Sequence, residues 1–292
     1  MRIFVTGASG WIGSAVTAEL LASGHQVVGL ARSDASADKI RAAGAEVLRG
    51  DLTDLDSLRA GVEGADGVVH TGYNHDFSIM AQAAEADFAA VKLFGDLLEG
   101  SDRPIAIASG ILGAVSVETD RPDPATSWSP RLLTEHTLLG FAERGIRSSA
   151  VRLAPTVHGE GDHGFMSVIV ASDRAAGKAA YVDAPIHWPA VHRLDAAHLF
   201  CLAIEKAPAG SVLHAIDDEG VLLSDVAEVI GRHLDLPVAA ISPEEADEQF
   251  AWLGRFLGID SVASSTITRE LVGWQPTHPN LLEDLEAGVY FR

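Results

Sequence analysis

The stretch Ile3-Phe4-Val5-Thr6-Gly7-Ala8-Ser9-Gly10-Trp11-Ile12-Gly13 decides how the rest of the chain is read. An apolar run ends at Thr6, glycines then recur at every third position, and Trp11 to Ala22 keeps a helical apolar face. Strand, bare turn and helix start therefore follow one another, which is the context a phosphate-binding turn requires. Unpaired amides at such a helix start, backed by the helix dipole, hold a pyrophosphate. Gly7 permits the tight turn, Gly10 close approach of the ligand, and Gly13 close packing of helix on strand. Packing alone would also use a glycine turn, but the flanking order favours the phosphate.

Outward from this turn, apolar runs alternate with helical patterns as far as about residue 155, the rhythm of βαβ units in a doubly wound, Rossmann-type parallel α/β sheet. The expected strands are Arg2–Thr6, Gln26–Leu30, Glu46–Arg49, Gly67–His70, Ile105–Ala108 and Ser148–Leu153. Helices are expected over Trp11–Ala22, closed by Gly24, and over Ala81–Leu98, closed by Gly100. After Pro155 the rhythm breaks into a loop, a helix near Ser167–Ala176, a strand at Ala179–Val182, an extended Val191–Leu194 and a helix at Ala196–Lys206. Residues 1–155 are thus expected to form a dinucleotide-binding domain, completed by parts of 187–215. Residues 156–292 mainly form a smaller substrate-binding region over the carboxyl edge of the sheet, where open α/β sheets bind ligands.

Composition narrows the partners. With 292 residues, 47% of them hydrophobic, the chain can bury a sizeable core, and no apolar run approaches the ~20 residues that span a bilayer. Met1 leads straight into a strand, so no secretory signal is read and a cytoplasmic location is expected. A net charge of −20 without any basic stripe argues against nucleic acid and against an anionic membrane, leaving a small-molecule substrate as the expected partner. The single cysteine, Cys201, sits in an apolar helical pattern and reads as a buried structural thiol.

The end of the second expected strand chooses between cofactors. An acidic residue there would hydrogen-bond the ribose 2′-hydroxyl of NAD; here the chain reads Gly29-Leu30-Ala31-Arg32-Ser33. Arg32 and Ser33 suit a 2′-phosphate, so NADP is favoured over NAD, with Asp34 as the residue that would take the acidic role if the strand ran longer. Asp51 and Leu52, after the third strand, lie either at the adenine or in an ordinary turn. Thr71 and Gly72 end the fourth strand on the cofactor side.

These residues resemble the extended short-chain dehydrogenase/reductases, the NAD-dependent epimerase/dehydratase family. Thr6-Gly7-Ala8-Ser9-Gly10-Trp11-Ile12-Gly13 is similar to the family's T-G-x-x-G-x-x-G turn and Gly50-Asp51-Leu52 to its adenine-side turn. Val151-Arg152-Leu153-Ala154-Pro155-Thr156-Val157-His158-Gly159 resembles its R-x-x-x-V-Y-G passage, Val191-His192-Arg193-Leu194-Asp195 its late strand–helix junction, and Leu271-Val272-Gly273-Trp274-Gln275-Pro276 its L-G-W-x-P. The resemblance implies hydride chemistry or a hydride-dependent rearrangement, a cofactor lined by Gly7, Ser9, Gly10, Trp11, Ile12, Gly13, Thr71, Gly72 and Pro155, and the homodimer that the family often forms through helices flanking the sheet. The family's Y-x-x-x-K is nevertheless missing. Tyr73 has Phe77 four residues on, Tyr181 has Pro185, and Tyr290 stands two residues from the end. Taking Glu135 as the family's acidic residue four beyond its lysine puts Ser127 at the tyrosine position and Arg131 at the lysine position.

A carbonyl reduction needs a group that polarises the oxygen and a proton for the alkoxide. Ser109 resembles the family's Ser/Thr that bonds the substrate oxygen, and Arg131 can hold the nicotinamide ribose and supply charge without giving up its own proton. For the proton three residues stay open: Tyr73, as a phenol acidified by neighbouring positive charge or else an aromatic lid; Ser127, which needs a relay; and His158, which titrates near neutrality but stands where packing is expected. The run His158-Gly159-Glu160-Gly161-Asp162-His163 contains metal-ligating residue types at loose spacing and reads better as a covering loop, while His187, His192 and His198 lack ligand spacing. No G-x-S-x-G elbow marks a hydrolase. Tyr73, His75, Phe77, Phe165, Tyr181 and Trp188 are expected to wall a largely apolar substrate pocket. The function these features favour is an NADP(H)-dependent oxidoreductase acting on a small, mostly apolar ketone, aldehyde or alcohol. The alternatives are a non-catalytic NADP-binding sensor and a C=C or C=N reductase on the same scaffold.

Overall fold

A computed structural model describes residues 1–74, 80–113, 115–125, 127, 129 and 131–291. The first half alternates without exception: β1 (Arg2–Thr6), α1 (Trp11–Ala22), β2 (Gln26–Ala31), α2 (Asp34–Ala42), β3 (Glu46–Arg49), α3 (Leu55–Glu63), β4 (Gly67–His70), α4 (Met80–Leu98), β5 (Pro104–Gly110), α5 (Arg131–Leu139) and β6 (Arg147–Leu153). There follow β7 (Thr156–His158), α6 (Phe165–Ala176), β8 (Ala179–Val182), β9 (His187–His192), α7 (Arg193–Lys206), β10 (Ser211–Ala215), β11 (Asp218–Leu222), α8 (Leu223–Leu234), β12 (Val238–Ile241), α9 (Pro243–Phe250), α10 (Gly254–Leu257), α11 (Thr266–Val272) and α12 (Leu281–Glu286).

Seven strands pair in the order β10-β6-β5-β4-β1-β2-β3, every pairing parallel. Such a sheet must be covered on both faces, which is why its strands read as near-continuous apolar runs. Alternate residues divide between two cores. Ile3, Val5, Ala106, Ala108 and Val151 pack with α1, α2 and α7, whereas Phe4, Val68, Ile105, Ile107 and Ala150 pack with α3, α4 and α5. A third core gathers side chains of α6, β8, α8, β12, α9 and α12. The Rossmann-type doubly wound fold expected from the sequence is the one observed.

The expected strands match within a residue or two at their ends. The segment expected as extended over Val191–Leu194 differs at both ends: β9 starts at His187, and Arg193 and Leu194 already belong to α7, because His192 is its N-cap and its Nδ1 accepts the Leu194 N–H at 3.2 Å. Strand order reverses between β1 and β4, and the ends of these two strands open the crevice where ligands bind in this topology. Among the described residues no helix is long and apolar enough to cross a membrane.

Candidate functional site

The glycine turn occupies the crevice at the end of β1. Gly7 adopts φ +70°, where a side chain is strained, and Gly10 donates its N–H to Gly7 O at 2.8 Å to close the turn. A Cβ on Gly13 would stand 2.1 Å from Gly7 O and 2.7 Å from Thr71 Oγ1, so only glycine lets α1 approach this closely. Gly10 caps α1 without any side-chain hydrogen bond. The first amides of α1, from Trp11 to Gly13, have no acceptor within the helix and face an unblocked turn. A cradle of backbone donors that no side chain fills fits a pyrophosphate.

Side chains brace this cradle from behind. Thr71 Oγ1 donates to Thr6 O at 2.8 Å, and Gly72 N donates to Thr6 Oγ1 at 3.2 Å, joining the ends of β1 and β4. The Trp11 indole donates to Val157 O at 3.1 Å and meets the His163 ring edge-on at 5.6 Å. Arg193 lies over the Trp11 ring at 4.2 Å, with Nε on Trp11 O at 2.7 Å and Nη2 on Ser14 Oγ at 2.6 Å. The covering loop is itself clasped, since Tyr290 donates its hydroxyl proton to Asp162 Oδ2 at 2.8 Å. Asp162 also accepts Gly164 N at 2.6 Å, so this carboxylate serves the loop's own geometry.

At the adenosine end, β2 stops at Ala31, and Arg32, Ser33 and Asp34 are all exposed. Ser33 Oγ accepts Ser36 N at 3.2 Å and so caps α2, whose first residue is Asp34. Asp51 braces its own turn: its Oδ1 accepts Thr53 N at 2.9 Å and Thr53 Oγ1 at 2.8 Å, bonds that hold its carboxyl below the usual range with help from nearby Arg32. Leu52 lies beside the end of β4, where a Cβ on Gly72 would meet its Cδ1 at 3.2 Å. Pro155 is half-buried at the bend between β6 and β7.

The other half of the edge is built from side chains. Strand alternation turns His70, Ser109 and Arg152 to the face covered by α4 and α5. His70 is wholly buried, with Nδ1 2.7 Å from Thr6 Oγ1 and Nε2 3.1 Å from Asp87 Oδ1. The Asp87 carboxylate can only accept, so His70 Nε2 carries a proton towards it. Burial pulls the Asp87 carboxyl upward, but the His70 hydrogen bond and the charges of His70 and Arg131 hold it below the ordinary range. Arg131 Nη2 stands 4.0 Å from Asp87 Oδ1 and donates to Ala108 O, beside Ser109. Its guanidinium carbon lies 4.5 Å from the centre of the Tyr73 ring.

Of the sequence-derived candidates, Ser109, Arg131 and Tyr73 converge at the end of β5. One expectation about Tyr73 is corrected: its phenol is pushed above the ordinary value, because burial outweighs the opposing Arg131 charge and Asp87 adds to burial. Ser127 Oγ accepts Ser129 N at 3.0 Å in a local turn ahead of α5. His158 is placed elsewhere. Its ring is wholly buried and its Nδ1 sits 2.7 Å from Asp284 Oδ2, fixing α12 to β7 out of a substrate's reach.

The expected aromatic wall is corrected as well. Trp188 is fully buried, its indole donating to Ile259 O, and Phe165 packs against Trp188, Trp252 and Phe256 at 5.5 to 6.2 Å, so these rings belong to the third core. Tyr181 borders the same core, Phe165 keeps partial exposure, and His75 and Phe77 lie outside the described residues. Cys201 is buried and its thiol is pushed up to about 11, as an inert structural cysteine should be. His192 joins Asp195 and His278, but the rings stack face to face at 4.7 Å and Asp195 accepts both His278 N and its Nδ1, so the group fastens the C-terminal segment to α7.

Sequence reasoning passed over His70, Asp87 and Arg193. Asp87 leaves a visible trace, a carboxylate among Ala83, Ala90, Val91 and Phe94 on the buried stripe of α4.

Comparison with known proteins agrees with this construction. A family model described as NAD(P)H-binding matches residues 7–133. Uncharacterized protein C2A9.02 of Schizosaccharomyces pombe is 45% identical over the full length of both chains, and uncharacterized protein YLL056C of Saccharomyces cerevisiae is 43% identical over 98% of each. Among solved structures, UDP-glucose 4-epimerase of Thermotoga maritima superposes with a TM-score of 0.75 at 20% identity, covering 100% of this chain and 98% of that one. With its NAD(P)H-binding domain, the chain belongs to one family with these two full-length yeast relatives, and it has the Rossmann fold of the epimerase structures.

Proposed function

We propose that the protein is an NADP(H)-dependent oxidoreductase that reduces a small, mostly apolar ketone or aldehyde, or oxidises the alcohol. The observation that carries this reading is the convergence of Tyr73, Arg131 and Ser109 at the end of β5, where the family's tyrosine and lysine are missing from the sequence. The α1 amides, Thr71, Gly72 and Leu52 would hold the dinucleotide, with Arg32 on its 2′-phosphate. A bound dihydronicotinamide supplies the hydride.

The chain's own residues then have distinct tasks. Ser109 donates its hydroxyl proton to the carbonyl oxygen and polarises it as negative charge develops there. Tyr73, whose raised pKa keeps the phenol protonated at neutral pH, gives its proton to the alkoxide oxygen. Arg131, stacked on the ring, stabilises the phenolate left behind and cannot compete as a donor, because a guanidinium keeps its protons. Asp87 and Ala108 O hold that guanidinium from the other side, and His70 holds Asp87. Leu112, partly exposed just beyond the end of β5, favours an apolar substrate body.

The test mixes purified protein with NADPH and a panel of ketones and aldehydes, following loss of nicotinamide absorbance and formation of the alcohol. Turnover that requires Tyr73 supports the assignment. Tight NADPH binding without turnover on carbonyl, alkene or imine substrates makes the protein a dinucleotide sensor, and turnover confined to C=C or C=N bonds moves it to another reductase class.

A further inference from the structure

Resting on the NADP(H) reading above, we propose that Arg49 is a second anchor for the cofactor's 2′-phosphate and that Asp34 is a built-in competitor for it. β2 and β3 pair in parallel with Ala31 opposite Arg49, so Arg32, one residue beyond Ala31, and Arg49, the last residue of β3, reach the same corner of the sheet edge. Arg49 Nη2 stands 3.0 Å from Asp34 Oδ1, with the two side chains 50% and 96% exposed.

Each arginine has an acidic neighbour, but the two carboxylates are held differently. Asp51, near Arg32, is spent on Thr53 N and Thr53 Oγ1 and stays in its turn. Asp34 reaches Arg49 through water-exposed groups, an ion pair that exchanges at little cost. A phosphate brings more charge and more acceptor oxygens than the carboxylate it displaces, so it can draw Arg49 away and be held by two guanidinium forks. The neutral 2′-hydroxyl of NAD has neither the charge nor the acceptors to do this. Asp34, once released, remains beside the bound phosphate as an unpaired negative charge. It weakens NADP in proportion, and it keeps the one carboxylate that could serve an NAD ribose tied to Arg49 until a phosphate arrives.

The experiment measures dissociation constants of NADPH, NADH and adenosine 2′,5′-bisphosphate for the wild type, Arg49→Gln and Asp34→Asn, by nucleotide fluorescence and competition. Both positions are exposed, so thermal melts of the variants should match the wild type. Arg49→Gln is expected to weaken NADPH and the bisphosphate about tenfold and NADH by less than about twofold, while Asp34→Asn tightens both phosphorylated ligands about threefold. If the wild type prefers NADPH but Arg49→Gln changes both cofactors equally or neither, or if Asp34→Asn weakens NADPH, the Arg49 assignment is overturned and the NADP(H) reading survives. A wild type that binds NADH at least as tightly as NADPH overturns both.

Discussion

The two halves of the ligand edge hold their polar groups by different means. Beside β1 the donors are backbone amides, fixed by a turn whose glycines leave no room for anything else: a Cβ on Gly13 would meet Gly7 O at 2.1 Å. At the ends of β4 and β5 the groups are side chains, strung from Thr6 through His70 and Asp87 to Arg131 and Tyr73. A backbone site survives almost any change of neighbouring side chains but none of its glycines. A side-chain site can be rebuilt from other residues provided the charges are re-anchored, and this chain, without a Tyr-x-x-x-Lys motif, presents a phenol beneath a cation.

Substitutions in each half should therefore fail in different ways. The largest effect is expected from Tyr73→Phe: turnover on the best carbonyl substrate should fall roughly 100-fold or more, with the NADPH dissociation constant unchanged, in steady-state and binding assays. Equal losses of binding and turnover would make Tyr73 part of the cofactor cradle and erase the division. Gly13→Ala should do the reverse, weakening NADPH and NADH alike by roughly 30- to 100-fold in fluorescence titrations, since the new methyl group meets backbone rather than a movable side chain.

Arg32→Glu probes the one part of the nucleotide half that depends on a side chain. It should weaken NADPH about tenfold or more while leaving NADH within about threefold, and equal loss of both would remove the cofactor assignment. The smallest effect lies outside both halves. Asp173 is buried on α6, where its Oδ1 accepts Ala180 N and Gln249 Nε2, and burial pushes its carboxyl from the ordinary 3.8 up to about 7. The folded chain thus retains a proton that the unfolded chain releases near 3.8, so stability is highest below that value, declines as pH rises towards about 7, and levels off beyond. Asp173→Asn should flatten that slope in denaturant melts across pH without altering NADPH affinity, and an unchanged slope would mean Asp173 titrates normally.

The same contrast explains what the sequence disclosed. Strand periodicity, helix ends at Gly24 and Gly100 and the three-residue glycine spacing are local signals, and they placed the sheet and the cradle within a residue or two. The side-chain half depends on residues far apart in the chain, Thr6 with His70 and Asp87 with Arg131, and a single sequence carries no spacing rule for such pairs. Aromatic residues misled for a related reason. Trp188 and Phe165 have the composition of a pocket wall, but whether an apolar ring faces a ligand or a core is settled by the helices packed on it, here α9 and α10. Tyr73 shows the limit of charge arguments: the neighbouring cation was read correctly, yet desolvation, invisible in sequence, sets the direction of its pKa.

The central claim is that the uncapped start of α1 and the Gly7–Gly13 turn hold a pyridine dinucleotide. Isothermal titration calorimetry of the purified chain with NADPH and NADH tests it most directly. The account predicts saturable binding at one site per chain, tighter for NADPH and weakened roughly 30- to 100-fold in Gly13→Ala; the absence of a saturable signal with either nucleotide would contradict it.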